Sequence, residues 1–294
     1  MLKHRLTFGP IMIAALALFA WLDQWLDGRA APEWTGIDRF PPAMMTAPLV
    51  FVLGAAGARE VARILRAKGV EIATRPAMLA AVIGVAMMTF MPESMPGTTG
   101  MAIASTGVAL SFVFGLVYAI RHRSTEGAIA AGSGILMIHV YMGLMPGFLV
   151  LLRREHDIWV MIWVLACVKS CDIGAYFTGT TIGKNKLIPW LSPGKTWEGL
   201  AGGMVTAGFV GLIGAAWMDS AGIPVPGLFP AFAMGVFFGG LGQAGDLAAS
   251  LLKRDAGVKD AGSALPGFGG VLDLIDSPIF VAPIAFWLLH SLTV

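Results

Sequence analysis

The chain has 294 residues, of which 56% are hydrophobic and 13% charged; 20 Lys and Arg stand against 18 Asp and Glu, for a formal net charge of +2. This composition excludes an ordinary water-soluble domain, and the lack of a basic patch interleaved with aromatics leaves no footing for nucleic acid. It predicts an all-α fold, a polytopic integral membrane helical bundle.

Uncharged runs at 6–22, 40–58, 76–92, 94–120, 127–152, 199–218, 220–245 and 277–294, with an interrupted one across 158–183, predict about nine transmembrane helices. A span takes roughly 17–25 mainly apolar residues. Lys3 and Arg5 precede the first run in the manner of a signal peptide. "WLDQWLDGRA" follows it without a small-x-small cleavage site, so the run is read as a retained first span.

With the amino terminus cytoplasmic, the inner segments are 1–7, 59–75, 121–126, 184–198 and 251–276. They hold 15 of the 20 Lys and Arg residues, as the positive-inside rule requires. The weakest point is Arg153-Arg154, left on the outer side beside Glu155 and Asp157. Segment 59–75 alternates Val61, Ile64 and Leu65 with Arg59, Arg63 and Arg66, which suits either a surface-lying helix on anionic lipid or a plain connector. No chemistry is assigned to it.

The two parts of the chain differ in character. Residues 1–157 keep charge in the loops and read as an amino-terminal transmembrane scaffold. Residues 158–294 read as the catalytic transmembrane region with its cytoplasmic loops, because from Lys169 onward ionisable groups enter or border the spans. Such groups are costly in a membrane unless paired, hydrated or ligand-bound. Glycine runs such as "GLAGGMVTAG" predict close helix packing, within one subunit or between two, so a homodimer stays open. Cys167 and Cys171, four apart on one helix, read as packing residues rather than a disulfide or zinc pair.

Three constellations carry candidate chemistry. In "KSCDIGAYFTG", Lys169 and Asp172 share one helical face. In "IGKNKLIPWLSPGKTWEG", Gly194-Lys195-Thr196 invites comparison with a phosphate loop. The glycine required five positions earlier is Pro189, and no preceding strand is expected, so that fold assignment fails. Lys184, Lys186, Lys195, Ser192 and Thr196 still offer charges and donors to a polyphosphate, and Ser192-Pro193-Gly194 reads as a turn into a helix. Trp197 and Glu198 are candidates to line a base pocket, and Trp197 suits anchoring at the membrane interface at least as well. In the third stretch, Asp246, Ser250 and Lys253 fall on one face, and Asp273 and Asp276 begin the last helix. Three carboxylates brought together repel unless a cation neutralises them, which suits magnesium; a cation or proton pathway would use similar groups.

These residues resemble the phosphatidate cytidylyltransferase (CDP-diacylglycerol synthase) family over roughly 169–280. The family's carboxy-terminal signature has a Ser two positions before Lys-Arg, then Lys-Asp, His-Gly-Gly, Asp-Arg and Asp. It falls here on Leu251 (with Ser250 adjacent), Lys253-Arg254, Lys259-Asp260, Phe268-Gly269-Gly270, Asp273-Leu274 and Asp276. "SPGKTWEG" and Asp172-x-Gly-Ala-Tyr also look like family features. Phe268 and Leu274 depart from the expected histidine and arginine, and neither replacement can exchange a proton or pair with a carboxylate.

The resemblance implies a reaction of CTP with phosphatidate to give CDP-diacylglycerol and pyrophosphate, in the bacterial cytoplasmic (inner) membrane with the site facing the cytoplasm. It implies Mg2+, with room for a second cation, held by Asp246 and Asp273 with Asp276 as a third ligand or behind them. Lys195 and Lys184 would neutralise the triphosphate while Ser192 and Thr196 donate hydrogen bonds. Lys253, Arg254 and Lys259 would attract phosphatidate, and Asp172 would orient Lys169 or join the ion cluster. Gly194 and Asp260 complete the binding set. The alternatives are a CTP-dependent enzyme acting on another lipid phosphate or a polyprenol, and an ion-coupled transporter.

Overall fold

A computed structural model describes residues 2–32, 37–92, 97–123, 125–262 and 269–293. Helices α1 (Leu2–Leu26), α2 (Thr46–Ala67), α3 (Thr74–Thr89), α4 (Gly97–Ala119), α5 (Ala128–Ile138), α6 (Met145–Glu155), α7 (Ile158–Ile182), α8 (Trp197–Ser220), α9 (Leu228–Asp255) and α10 (Val271–Thr293) follow in order. A π-helical stretch, His139–Leu144, joins α5 to α6, and a two-stranded hairpin of β1 (Lys186–Ile188) and β2 (Ser192–Thr196) separates α7 from α8.

Among the described residues, six helical rods are long and apolar enough to cross a membrane, α5 through α6 counting as one. This supports a polytopic all-α bundle but falls short of the nine expected spans. In α1 the described apolar part is Ala14–Leu26, and α3 is also short. Helix α2 fails on charge, because it does not stop before Arg59 but runs on through Glu60, Arg63 and Arg66. Its buried face of Val50, Gly54, Ala58, Val61 and Ile64 opposes exposed arginines, so 59–67 is the continuation of a packed helix, neither a separate surface helix nor a connector. Helix α7, read from an uncharged run that Lys169 and Asp172 interrupt, is one continuous helix, as the shared face of that pair requires.

The chain forms two compact units interleaved in sequence: 1–10, 45–151 and 252–274 make the first, and 11–44, 152–251 and 275–294 the second. Small residues set the packing in each. In the first, a Cβ on Gly84 would lie 2.8 Å from Gly143 Cα, and the buried His139 donates from Nδ1 to the Ala80 carbonyl at 2.9 Å. In the second, a Cβ on Gly203 of α8 would lie 2.6 Å from the Cys171 carbonyl of α7, and one on Gly211 would lie 2.6 Å from the Ala231 carbonyl of α9. Close backbone approach is what membrane helices gain from small residues. Cys167 and Cys171 are buried free thiols in this packing.

Arg153 also finds its explanation in the second unit. Its guanidinium, 1% exposed, reaches Asp23 Oδ2 at 2.5 Å and Asp27 Oδ2 at 2.9 Å. The arginine that strained the charge rule is therefore neutralised by two carboxylates, Asp23 in the last turn of α1 and Asp27 just beyond it.

Candidate functional site

The segment after α7 is a hairpin, and "SPGKT" is its second strand rather than a turn into a helix. Lys186 pairs with Thr196 and Ile188 with Ser192, so a single residue, Leu187, opposes Pro193, Gly194 and Lys195. A bulge of this kind re-aims side chains and tolerates a proline, which has no N–H to give the ladder. Thr196 ends the strand and caps α8, its Oγ1 accepting the Gly199 N–H at 3.1 Å. Glu198 lies against the hairpin's start, where its carboxylate accepts from the Asn185 side chain at 2.6 Å and from the Asn185 backbone N–H at 3.2 Å.

The bulged Lys195 enters a polar chain built on α7 and α9. Its Nζ lies 2.5 Å from Asp246 Oδ2 and donates to Gln243 Oε1 at 2.7 Å. Gln243, 5% exposed, in turn donates from Nε2 to Asp172 Oδ1 at 2.6 Å. Gln243 and Asp246 stand three apart on α9 and so share a face. Lys169 Nζ is 3.8 Å from Asp172 Oδ2. Asp246 is within electrostatic reach of both Asp172 and Asp276, and Lys169 is within reach of Asp276. The Asp276 carboxylate is 3% exposed and accepts from the Ser277 N–H and hydroxyl.

A cavity of about 380 Å³ opens beside this chain, lined among others by Asp172, Tyr176, Gly179, Lys195, Thr196 and Gln243. That volume is in the range of small-molecule sites. Gly179 and Gly199 keep its wall low, since a Cβ on Gly199 would meet the Ala175 carbonyl at 2.9 Å. The same unit holds a larger cavity of about 630 Å³, lined by Glu155, His156, Asp157 and the Ile223–Gly227 loop. Its acidic rim and lack of a lysine disfavour a polyphosphate, whereas the smaller cavity has Lys195 on its wall.

The remaining sequence-predicted residues divide between places. In the first unit, Lys253 Nζ meets Asp273 Oδ1 at 2.6 Å, and Asp273 Oδ2 accepts from the Gly270 N–H at 2.9 Å and the Ala261 N–H at 3.3 Å. Arg254, Lys259 and Asp260 are exposed, as are Lys184 and Gly194; Ser192, Ser250 and Leu274 are half-buried and Leu251 is exposed. Phe268 lies outside the described residues. Sequence reasoning missed Gln243 and Glu60. An amide three residues before Asp246 in an apolar run was a usable signal for Gln243. Glu60, hidden in a charged segment, gave none.

Among the described residues, no group of three His, Cys, Asp or Glu side chains forms a ready-made metal cage. Magnesium does not require one, because one or two carboxylates suffice when water and substrate phosphate complete its shell. Asp246, paired with Lys195 and within electrostatic reach of Asp172 and Asp276, offers carboxylate oxygens of the kind magnesium takes.

Comparison with known proteins agrees with this chemistry. The profile of the Cytidylyltransferase family matches residues 39–292. The chain is 31% identical over 245 residues to a phosphatidate cytidylyltransferase of Bacillus subtilis, covering 82% of this chain and 88% of the relative. It is 29% identical over 259 residues to that of Synechocystis sp., covering 79% and 83%. It is 38% identical over 128 residues to that of Haemophilus influenzae, covering 44% of each.

Proposed function

The chain belongs to the cytidylyltransferase family, and from that premise we propose that it is a CTP:phosphatidate cytidylyltransferase, making CDP-diacylglycerol and pyrophosphate for phospholipid synthesis. The observation that carries the reading at the level of residues is Lys195, tied to Asp246 and Gln243 beside a cavity of small-molecule size.

The chemistry asks little of a protein base. A phosphatidate phosphate oxygen is already anionic near neutral pH. It attacks the α-phosphorus of CTP, the bond to the bridging oxygen breaks, and pyrophosphate departs with the electron pair. Catalysis then rests on alignment and on charge neutralisation. Lys195 meets the triphosphate as a point charge, and Gln243 holds its ammonium in register with Asp172. Lys184 and Ser192, on the hairpin and its approach, contribute a further charge and donor. Lys253, paired with Asp273, and the exposed Arg254 and Lys259 attract anionic lipid phosphate. Asp246, with Asp172 or Asp276, would hold magnesium, which when bound offsets the negative charge of the CTP phosphates.

The same reading gives nine spans, adding α1, α2 and α3 to the six rods, with the amino terminus and the site on the cytoplasmic side of a bacterial inner membrane. It assigns scaffold to 1–157 and catalysis to 158–294. The placement of 15 of the 20 Lys and Arg residues supports that orientation.

The test is purified protein in liposomes with labelled CTP, magnesium and phosphatidate. Labelled CDP-lipid with pyrophosphate is expected. Turnover only with a different lipid phosphate or a polyprenol would replace the lipid substrate, and uptake of solute without nucleotide turnover would overturn the enzyme.

A further inference from the structure

Helix α10 begins with an N-cap that has no side chain. The residue before Val271 is Gly270, so the N-cap position itself supplies no side-chain acceptor for the first free N–H groups of the helix. Such orphan donors need partners when they are buried. The partner here comes from α2: Glu60, 5% exposed, accepts the Val271 N–H through Oε1 at 3.0 Å and the Leu272 N–H through Oε2 at 2.8 Å. The chain is cut away to admit it. A Cβ on Gly270 would lie 2.5 Å from Glu60 Oε2, and one on Gly262 would run into Glu60 Oε1.

The next residue of that turn is Asp273. It closes the reciprocal half of a capping box by accepting the Gly270 N–H at 2.9 Å, while its other oxygen takes Lys253 at 2.6 Å. Glu60 and Asp273 therefore hold the same turn from two sides. A buried carboxylate is a costly substitute for an ordinary Ser or Asp cap, because it must be desolvated. Helix stability alone would be served by a side chain at position 270.

We infer that Glu60 is the displaced N-cap of α10 and a positioning residue for the proposed reaction, fixing the turn that presents Asp273 to Lys253. The inference rests on the cytidylyltransferase reading for its catalytic half and on geometry alone for its capping half. It also predicts an exchange of roles. Position 270 lies outside the left-handed backbone region, so once the Glu60 carboxylate is gone a serine there has room to cap the helix locally.

The experiment compares the full-length protein with Glu60→Ala, Gly270→Ser and the double variant, reading hydrogen exchange of peptides over the first turn of α10 together with kcat and KM for CTP. Each single variant should speed exchange there and lower kcat by about tenfold, the scale of one lost cap, with KM for CTP little changed. The double variant should recover both. Glu60→Gln keeps one acceptor and the volume, so it should fall between wild type and Glu60→Ala even if the alanine variant folds poorly. Unchanged exchange and kcat in Glu60→Ala, or a double variant no better than the worse single one, would overturn the inference. If wild-type protein makes no CDP-lipid, the functional reading falls and Glu60's positioning role with it, while the exchange data still decide the cap.

Discussion

Gln243 Nε2 donates to Asp172 Oδ1 at 2.6 Å while its own Oε1 accepts from Lys195 Nζ at 2.7 Å. One neutral amide thus joins α7, α9 and the hairpin. Gln243→Leu fills the same space but serves neither partner, so kcat/KM for CTP should fall by about tenfold or more, and stability by about 1–3 kcal/mol for the buried groups left unpaired. Gln243→Glu keeps an acceptor for Lys195 but sets a second carboxylate against Asp172. Steady-state kinetics and thermal unfolding in detergent report both effects.

Arg153 is a structural counterpart. Removing its guanidinium takes from Asp23, 1% exposed, the cation that it pairs with. Arg153→Met should cost about 3–5 kcal/mol, and adding Asp23→Asn should recover much of that loss. Thermal unfolding midpoints measure it, and an unaffected Arg153→Met would show the ion pair to be idle.

The glycines separate into two kinds. At Gly203 a side chain meets backbone, the Cys171 carbonyl, which cannot swing away. Gly203→Val should therefore destabilise by about 1–3 kcal/mol through overpacking. At Gly194 an added Cβ meets nothing within 4 Å, so Gly194→Ala should leave the unfolding free energy within about 0.5 kcal/mol of wild type.

Much of this architecture was legible from residue patterns. Long uncharged runs and their basic flanks gave the helices, since the membrane leaves a chain few other options. The Lys169–Asp172 pair followed from a spacing of three. The misreadings have physical causes. Arginines on α2 hid a continuous helix, because they line its exposed face while Val61 and Ile64 stay on the buried one. The "SPGKT" turn became a bulged strand because its pairing partner, Lys186–Ile188, is too short to show a period. Asp246, Lys195 and Asp172 were named in advance. Gln243 was not, because a lone amide carries no motif, and Glu60 was invisible because its partners are backbone N–H groups 211 and 212 residues away.

The account turns on Lys195 and Asp246 being the ion-handling pair of a nucleotide site. The most direct measurement is CDP-diacylglycerol formation by wild type, Asp246→Asn and Lys195→Ala across a magnesium series, with folding checked for each. Asp246→Asn should lower kcat by about 10²- to 10³-fold and raise the magnesium requirement, and Lys195→Ala should lower kcat/KM for CTP on a similar scale. Near-wild-type rates with unchanged magnesium dependence in folded variants would contradict it.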